Sequence, residues 1–200
     1  MLTFDKTRDI AREICAIHNV TLSNDNLKRL ADIIVPIKLI RGKTIVAEGE
    51  ICNCIYYVKH GLLLQSYKKN DAVVTENIAH EGDMTVCIES FFQRIPSYLT
   101  LTTLEPSIIY GIPYEPLFGL ARTSYEICHF VFTIEQTMLI ILQQRADTLR
   151  FSTAKERYMR LVSEKPEIVR RAPLHHVASL LQMTPETLSR VRTQVNSEQS

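Results

Sequence analysis

The 200-residue sequence predicts an α+β protein with a strand-rich N-terminal part, one long helix and a small helical domain at the C-terminus. Three observations carry this prediction. Short β-prone runs separated by turn residues fill the stretch from about 44 to 111. A segment without Gly or Pro covers 124–150, and a paired-helix pattern follows it. We therefore divide the chain into residues 1–121, 122–150 and 151–200.

Two helices are expected ahead of the strands. The first should cover 5–18, where isoleucines recur at helical spacing; these are Ile10, Ile14 and Ile17. The second should begin after Ser23, a suitable N-cap, and end near Ile34.

The strand-rich part consists of short runs bounded by Gly, Asn, Asp and Pro. Such runs are typical of a β-sandwich or barrel. The predicted strands are Thr44–Ala47, Ile55–Val58, Leu62–Tyr67, Val73–Ala79, Tyr98–Thr103 and Ser107–Gly111.

The long helix is apolar on more than one side and must therefore bury more than one side. One face can cover the strands, and another can pair with the same helix of a second copy, which predicts a homodimer. The alternative is a helix that is fully buried within one monomer. The apolar residues are Ile127, Phe130, Val131, Phe132, Ile134, Met138, Leu139, Ile140, Ile141 and Leu142.

The segment from His175 to Arg192 has the pattern of a helix-turn-helix. Thr184 is a suitable N-cap for the second helix, and Pro185 suits its first position, where no N–H is needed. The apolar residues of this helix should face a core: Leu188, Val191 and Val195.

The opposite face of the second helix carries side chains that can contact DNA. Arginine can donate two hydrogen bonds to guanine, and glutamate can accept one from cytosine. Arg190 is therefore predicted to read bases, with Glu186 and Ser189 beside it. Contacts to the DNA backbone are predicted for Thr184, Thr187 and Arg192. The same pattern also fits a helical hairpin with a solvated outer face, on which Glu186 and Arg190 form an ordinary i,i+4 pair.

This segment resembles the DNA-binding segment of the Crp/Fnr family, the cyclic-AMP-receptor-like bacterial transcription regulators. The resemblance is carried by Val177–Leu181 and Met183–Arg192 and continues upstream through Ser152–Tyr158. Weaker matches fall as in the ligand-binding barrel of the family: Gly42, Glu48-Gly49-Glu50, Tyr56-Tyr57-Val58, Gly61 and Gly82-Asp83.

The resemblance implies a cyclic-nucleotide-binding-like β jelly roll, a dimerisation helix and a winged-helix-like helix-turn-helix domain. It also implies a homodimeric DNA-binding transcription regulator, not an enzyme, that binds an inverted-repeat operator in double-stranded DNA, with RNA polymerase as a candidate further partner. One departure lies in the turn, where Gln182 replaces the usual glycine of the family. A side chain makes positive φ costly, so a strained turn is expected.

The pocket residues of the resemblance also depart from the family pattern. Members that bind cyclic nucleotides have a Gly-Glu pair, followed by an arginine and a Ser or Thr. Here Cys87 and Ile88 stand at the pair, with Glu89 next to them, and the arginine falls near Pro96, before Ser97. Arg94 lies two residues early and can serve only if the loop shifts. Cyclic AMP is therefore not the expected effector; the pocket should take an apolar or differently charged effector, or none.

Charge supports nucleic-acid binding by the C-terminal part. Residues 150–200 hold nine Lys and Arg against five Asp and Glu, whereas residues 1–149 hold fourteen against seventeen. A basic segment joined to a mildly acidic body suits a phosphate-binding module on a separate sensor.

No uninterrupted apolar run reaches the roughly 18–20 residues of a membrane span. With no apolar signal core at the N-terminus, we expect a cytoplasmic protein that does not bind membranes.

The five cysteines argue against a disulfide framework, because their number is odd and they are dispersed. Cys52 and Cys54 have one intervening residue, unlike the usual zinc spacing. No metal or cofactor is predicted, and the cysteines are read as small half-buried residues, with a redox or metal role as the alternative. Haem would need one of His18, His60, His80 or His129, none of which lies in a supporting motif.

Two rival functions stay open. One is a ligand-binding or protein-interaction module that has lost sequence-specific DNA binding. The other is a thiol enzyme that pairs a cysteine with a histidine, although no nucleophile motif supports it.

Overall fold

The computed structural model describes residues 4–70 and 72–198. The strands within this part are β1 Val35–Leu39, β2 Thr44–Val46, β3 Cys54–His60, β4 Leu63–Lys69, β5 Ala72–Ala79, β6 Met84–Thr85, β7 Thr100–Thr103 and β8 Ser107–Pro113. The helices are α1 Phe4–Ile17, α2 Asn24–Ile33, α3 Ile88–Gln93, α4 Tyr114–Ala121, α5 Tyr125–Phe151, α6 Ala154–Glu164, α7 Pro166–Arg171, α8 Leu174–Leu180 and α9 Pro185–Glu198.

The strands form two antiparallel four-stranded sheets, in the orders β1-β8-β3-β6 and β2-β7-β4-β5. Residues from both sheets meet in one core, where Leu63, Leu101, Ile109 and Ile112 have no exposed surface. Burial of the facing sides of two sheets is what holds a β-sandwich together. The predicted α+β class and jelly roll are confirmed.

Each predicted strand is present, with ends that differ by up to two residues, but β1 and β6 were missed. Strand β1 contains Pro36, which argues against a central strand. It lies at the edge of its sheet, paired only with β8 within the described residues, and an edge position tolerates proline. Strand β6 has only two residues, too few for a periodic pattern.

Both expected N-terminal helices are present, and they pack in the barrel core. Ser23 caps α2 by accepting a hydrogen bond from the Asn26 N–H at 3.4 Å. In α1, Ile10 and Ile14 are buried in the barrel core, but Ile17 is 49% exposed. The apolar face of α1 thus ends one turn before the helix does.

Helix α5 changes its surroundings along its length. It begins after the N-cap Ser124, and its first half is built into the barrel core through Ile127, Phe130, Val131 and Ile134. Its second half carries an exposed apolar face.

By length and composition alone, α5 is the one helix of residues 4–70 and 72–198 that could cross a membrane. From the sequence we expected no membrane span because no uninterrupted apolar run is long enough. Helix α5 does not contradict that count, because Glu126 and Glu135 interrupt its apolar residues. Burial of its first half in the barrel core instead identifies α5 as part of the folded domain.

The C-terminal helices share a core with one side of the barrel. Thr153 and Glu156 form a capping box that begins α6. The core contains Tyr158, Ile168, Val177, Ala178, Leu181, Leu188, Val191 and Val195, together with Leu62, Leu64 and Ile78 of the barrel.

Helix α9 continues to Glu198, since no Gly or Pro interrupts it. One detail of the C-terminal prediction needs correction. The wing of a winged-helix domain is not among the described residues, because β8 is their last strand and the connection between α6 and α8 folds as α7.

Candidate nucleic-acid interface and effector pocket

Helices α8 and α9 form the expected paired-helix unit. Val177 and Ala178 of α8 are buried, and so are Leu188, Val191 and Val195 of α9. The hydroxyl of Thr184 accepts a hydrogen bond from the Thr187 N–H at 3.2 Å, which caps α9 as predicted. The apolar stripe of α9 is therefore fixed against the core, and its opposite face must point outward.

Glu186, Ser189 and Arg190 of the predicted DNA-contacting residues share that outward face, whereas Arg192 lies on the flank of α9 beside buried Leu188. Glu186, Ser189, Arg190 and Arg192 are exposed, and Thr187 is half-buried. A hydrogen bond of 3.4 Å from Nη2 of Arg190 to Oγ1 of Thr187 is the only restraint that we find for its guanidinium within the described residues. Arg192 differs from its neighbours, since it also lines a crevice of about 170 Å³ beside Tyr158 and Leu174.

The acidic member of this face stays ionised. A hydrogen bond from its own backbone N–H, a second from Thr184 and the charge of Arg190 lower the pKa of Glu186. The carboxylate can therefore accept hydrogen bonds at neutral pH. The face thus presents a guanidinium donor and a carboxylate acceptor one helical turn apart.

The turn between the helices is closed by a Schellman arrangement. The Met183 N–H donates to the Ala178 carbonyl, and the Gln182 N–H donates to the Ser179 carbonyl, both at 3.0 Å. Gln182 takes φ of +51°, so the expected left-handed conformation is present. Arg157, which the sequence analysis overlooked, donates to the Leu181 carbonyl at 2.9 Å and holds this turn against α6.

Helix α8 is attached to the barrel. The Thr75 N–H in the edge strand β5 donates to the Ser179 hydroxyl at 2.8 Å, and Oγ1 of Thr75 lies 3.1 Å from Nδ1 of His176. Burial, followed by the charge of His175, lowers the pKa of His176. A neutral imidazole at this contact can hydrogen-bond Thr75 without the cost of a buried charge.

Ion pairs surround this contact. Arg171 donates two hydrogen bonds to Glu81, at 2.9 and 3.0 Å, and another to Glu105. Lys165 pairs with Asp83 at 2.7 Å. No local pattern predicts these contacts, because each joins residues that are far apart in the chain.

The second candidate site is a cavity of about 540 Å³ between the barrel and α5. It holds four of the five predicted pocket residues, namely Cys87, Ile88, Glu89 and Ser97. Sequence reasoning missed the wall that α5 and β5 contribute: Glu76, Asn77, Met138, Ile141, Leu142 and Arg145.

The fifth predicted residue, Arg94, does not line the cavity. It ends α3 with φ of +56°, and its guanidinium donates to the carbonyl of Cys52 at 2.9 Å and to Oδ1 of Asn53 at 2.6 Å. It also lies 4.4 Å from the ring centre of Tyr114. The guanidinium thus holds the loop between β2 and β3 and does not face the cavity, so the prediction of Arg94 as an effector contact was wrong.

The charges of the cavity do not favour an anion. Arg145 is the one cation among its lining residues and is paired with Glu76 at 3.2 Å, while Glu89 adds a second carboxylate. Thr85 is 3% exposed, and its hydroxyl has no partner within the described part of the chain. Thr85 lines the cavity, but its hydroxyl oxygen is itself buried rather than exposed to the cavity.

The described part of the chain contains no cluster of metal-binding side chains. Among residues 4–70 and 72–198, no group of three or more His, Cys, Asp or Glu is placed to hold an ion. His18 contacts the Met84 sulfur at 3.1 Å. Burial lowers the pKa of this histidine.

Comparison with solved structures identifies the fold. The chain is similar to a putative cAMP-binding regulatory protein from Silicibacter pomeroyi, with a TM-score of 0.68 and 18% identity over 96% of this chain and 88% of that one. It is similar to FixK2 from Bradyrhizobium japonicum, with a TM-score of 0.68 and 16% identity over 83% and 86%. A putative transcriptional regulator of the Crp/Fnr family from Eubacterium rectale gives 0.64 and 16% over 88% and 85%.

No protein-family model and no curated protein sequence matches the chain. At identities below a fifth, the structural likeness establishes a Crp/Fnr-like fold, and the resemblance inferred from the C-terminal motif is confirmed at that level.

Proposed function

We propose that this chain is a homodimeric, cytoplasmic transcription regulator of the Crp/Fnr type that binds an inverted-repeat operator through α9 and does not respond to cyclic AMP. The observation that carries the proposal is the division of α9 into a buried apolar stripe and an exposed face with Arg190, Glu186 and Ser189. Such a helix, held by a preceding short helix and turn, suits the major groove.

The second half of α5 supports the homodimer. Its exposed apolar residues are Leu139, Ile140, Ile141 and Leu142, of which Leu139 is 69% exposed. Exposed Phe132 lies two turns before Leu139 on the same side of the helix, whereas Ile141 and Leu142 also line the cavity. An exposed apolar side on a long helix is typical of a subunit interface. A second copy of α5 would cover it and would place two α9 helices on one DNA duplex, as a two-fold operator requires.

The cavity supports an effector other than a cyclic nucleotide. A bound phosphate needs compensating charge in an enclosed site. Arg145 is already paired, and Cys87 and Ile88 replace the Gly-Glu pair of nucleotide-binding relatives. An uncharged or cationic molecule with an apolar body fits the lining better.

Coupling between the two sites would pass through α5 and the edge strand β5. Glu76 and Asn77 of β5 line the cavity, while Thr75 bonds α8. An effector that binds one arrangement of these elements more tightly increases the population of that arrangement, and with it one placement of α8 and α9. RNA polymerase is a candidate partner of the DNA-bound dimer.

The first experiment is DNA capture from fragmented genomic DNA with the purified protein at several salt concentrations. Recovery of one inverted-repeat motif, with affinity that falls as salt rises, is expected. Capture without a motif in the presence of cell-extract small molecules as well as in their absence would instead favour the ligand-binding or protein-interaction module. Calorimetric titration with cyclic AMP should give no binding heat, and micromolar binding would contradict the pocket assignment.

A further inference from the structure

A narrow crevice lies between the four helices of the C-terminal part. It has a volume of about 170 Å³, and residues of α6, α7, α8 and α9 line it. Tyr158 and Leu188 are buried lining residues, whereas Arg170 and Arg192 are exposed at the rim. Small-molecule pockets measure roughly 300–1,000 Å³, so this crevice suits one small chemical group rather than a whole ligand.

The charge of the crevice is unbalanced. Its charged lining residues are Arg170 and Arg192, and both are cations. We find no ion-pair or hydrogen-bond partner for Arg192 within residues 4–70 and 72–198. Arg170 pairs with Glu167 through Nη2 alone. A guanidinium has several further N–H donors, so Arg170 can bind a second acceptor. The expected occupant of the crevice is therefore an anion.

A buried hydroxyl adds a neutral donor. Tyr158 is 6% exposed, and we find no hydrogen-bond partner for its hydroxyl in the described part of the chain. This oxygen is not fully enclosed, as the hydroxyl of Thr85 is. A largely buried polar group without a partner costs free energy, and a ligand that accepts its hydrogen bond removes that cost. Because Tyr158 lines the crevice, such a ligand would have to enter there.

The crevice adjoins one flank of α9. Arg192 lies one helical turn after Ser189, at the border between the outward face and the buried stripe. An α-helix fills a major groove, which is about 12 Å wide, so a phosphate backbone runs along each of its flanks. Arginine is well suited to phosphate, because its N–H groups can donate two parallel hydrogen bonds. A phosphate beside α9 would therefore meet Arg192 first and Arg170 in the same crevice.

We propose that this crevice binds one phosphodiester group of the DNA backbone, held by Arg192 of α9, Arg170 of α7 and the hydroxyl of Tyr158. The inference rests on the proposed DNA binding and extends the interface beyond the helix-turn-helix to α6 and α7. Contacts to the backbone fix the position of a protein on the duplex but carry no sequence information. The crevice should therefore contribute to affinity and leave base preference unchanged.

The test measures binding of the full-length protein to a duplex that lacks the operator, at several salt concentrations. Each neutralised phosphate contributes about 0.9 to the slope of log affinity against log salt. Arg170→Ala and Arg192→Ala should each reduce this slope by about 0.9, whatever the DNA sequence. Arg12→Ala is the matched control for Arg170→Ala, because Arg12 also pairs with an acid, Asp9, three positions away on its own helix. It should keep the wild-type slope.

The variant Tyr158→Phe keeps the buried ring and removes only the hydroxyl. It should keep the wild-type salt slope and melting temperature, since no charge and little packing change. Its affinity for the duplex should fall by roughly 10-fold, as expected for the loss of one hydrogen bond to a charged group. A wild-type slope in Arg170→Ala, or wild-type affinity in Tyr158→Phe, would overturn the proposal.

Calorimetric titration with inorganic phosphate distinguishes the DNA backbone from a free phosphate compound. We expect no saturation below about 1 mM. Tighter binding that Arg170→Ala abolishes would assign the crevice to a free anion and overturn the assignment to DNA.

The crevice and the proposed regulator function can fail separately. Intact DNA binding with an unchanged slope in Arg170→Ala would overturn the crevice alone. A reduced slope in that variant, together with DNA capture that recovers no motif, would overturn operator binding and support the crevice. A wild-type protein without any salt-dependent DNA binding would overturn both.

Discussion

The Ser179 hydroxyl accepts a hydrogen bond at 2.8 Å from the backbone N–H of Thr75. Ser179 belongs to the first helix of the helix-turn-helix, and Thr75 belongs to the edge strand of one barrel sheet. An edge strand leaves backbone groups unpaired unless another element covers it. Here α8 covers it, so strand β5 joins the helix pair α8 and α9 to the cavity wall.

The first prediction concerns Arg171, whose guanidinium bonds both Glu81 and Glu105 of the barrel. Its side chain is 20% exposed. Hydrogen bonds between charged groups contribute about 1.5–3 kcal/mol when partly buried. Arg171→Ala should therefore lower the free energy of unfolding by about 2 kcal/mol, measured by urea denaturation.

The neighbouring Arg170→Ala variant is the control for Arg171. Arg170 is 71% exposed and pairs with Glu167 on the same helix, three positions away. Such surface pairs contribute about 0–1 kcal/mol. Equal losses in the two variants would show that Arg171 does not hold the C-terminal helices to the barrel.

The second prediction concerns the stability of the folded protein at acidic pH. Burial raises the pKa of Glu81, but hydrogen bonds from Arg171 and from the Gly61 N–H outweigh it and lower the pKa to about 2. A carboxyl group with a lowered pKa stabilises the folded state above its ordinary pKa, and this stability is lost as the pH falls through the folded value. The loss should therefore occur between pH of about 4.5 and about 2.

Calorimetric melting of wild type and Glu81→Gln across that range tests this. Wild type should be more stable than the variant at pH 6, and the difference should shrink toward pH 2.5 because glutamine does not titrate. A constant difference between the two proteins at all pH values would contradict the linkage.

The sequence predicted local features better than distant ones. Ser23, Thr184 and Pro185 indicate helix starts, because capping uses residues within a few positions of each other. The contact between Arg171 and Glu81 arises only when α7 packs on the barrel, so no pattern along the chain could reveal it. Arg94 was assigned to the cavity from the family resemblance, but its backbone is left-handed and its guanidinium bonds Asn53 instead.

The third prediction uses the left-handed residue that the sequence did identify. Gln182 has φ of +51°, where a Cβ costs about 1–2 kcal/mol. Gln182→Gly removes this cost, although glycine makes the unfolded chain more flexible by about 0.4–1 kcal/mol. The net effect should be a stabilisation of about 0.5–1 kcal/mol, seen as a higher melting temperature. Gln182→Ala keeps a Cβ and should melt close to wild type; an equal rise in both variants would exclude relief of strain as the cause.

The fourth prediction concerns base readout. Arg190→Ala should weaken binding to the recovered operator by about 1–3 kcal/mol, or roughly 5–150-fold, and relax the preference at one base pair of each half-site. Gel-shift titration against operator variants measures both effects. Arg12→Ala carries the same charge change on α1, which packs against the barrel core. A similar loss of affinity in that control, with base preference retained in Arg190→Ala, would reduce Arg190 to a general electrostatic role.

The fifth prediction concerns the exposed face of α5. Leu139 is 69% exposed in the single chain, and burial of a leucine side chain contributes about 1.5–3 kcal/mol. In a two-fold dimer each substitution acts twice, so Leu139→Asp should raise the dimer dissociation constant by at least 100-fold. Sedimentation equilibrium measures this change directly.

Ile40→Asp is the matched control, because Ile40 is 75% exposed on the barrel and away from α5. If Leu139→Asp and Ile40→Asp sediment alike as dimers, the subunit interface must lie on another surface, and the geometry by which two α9 helices reach one operator would have to be rebuilt around it.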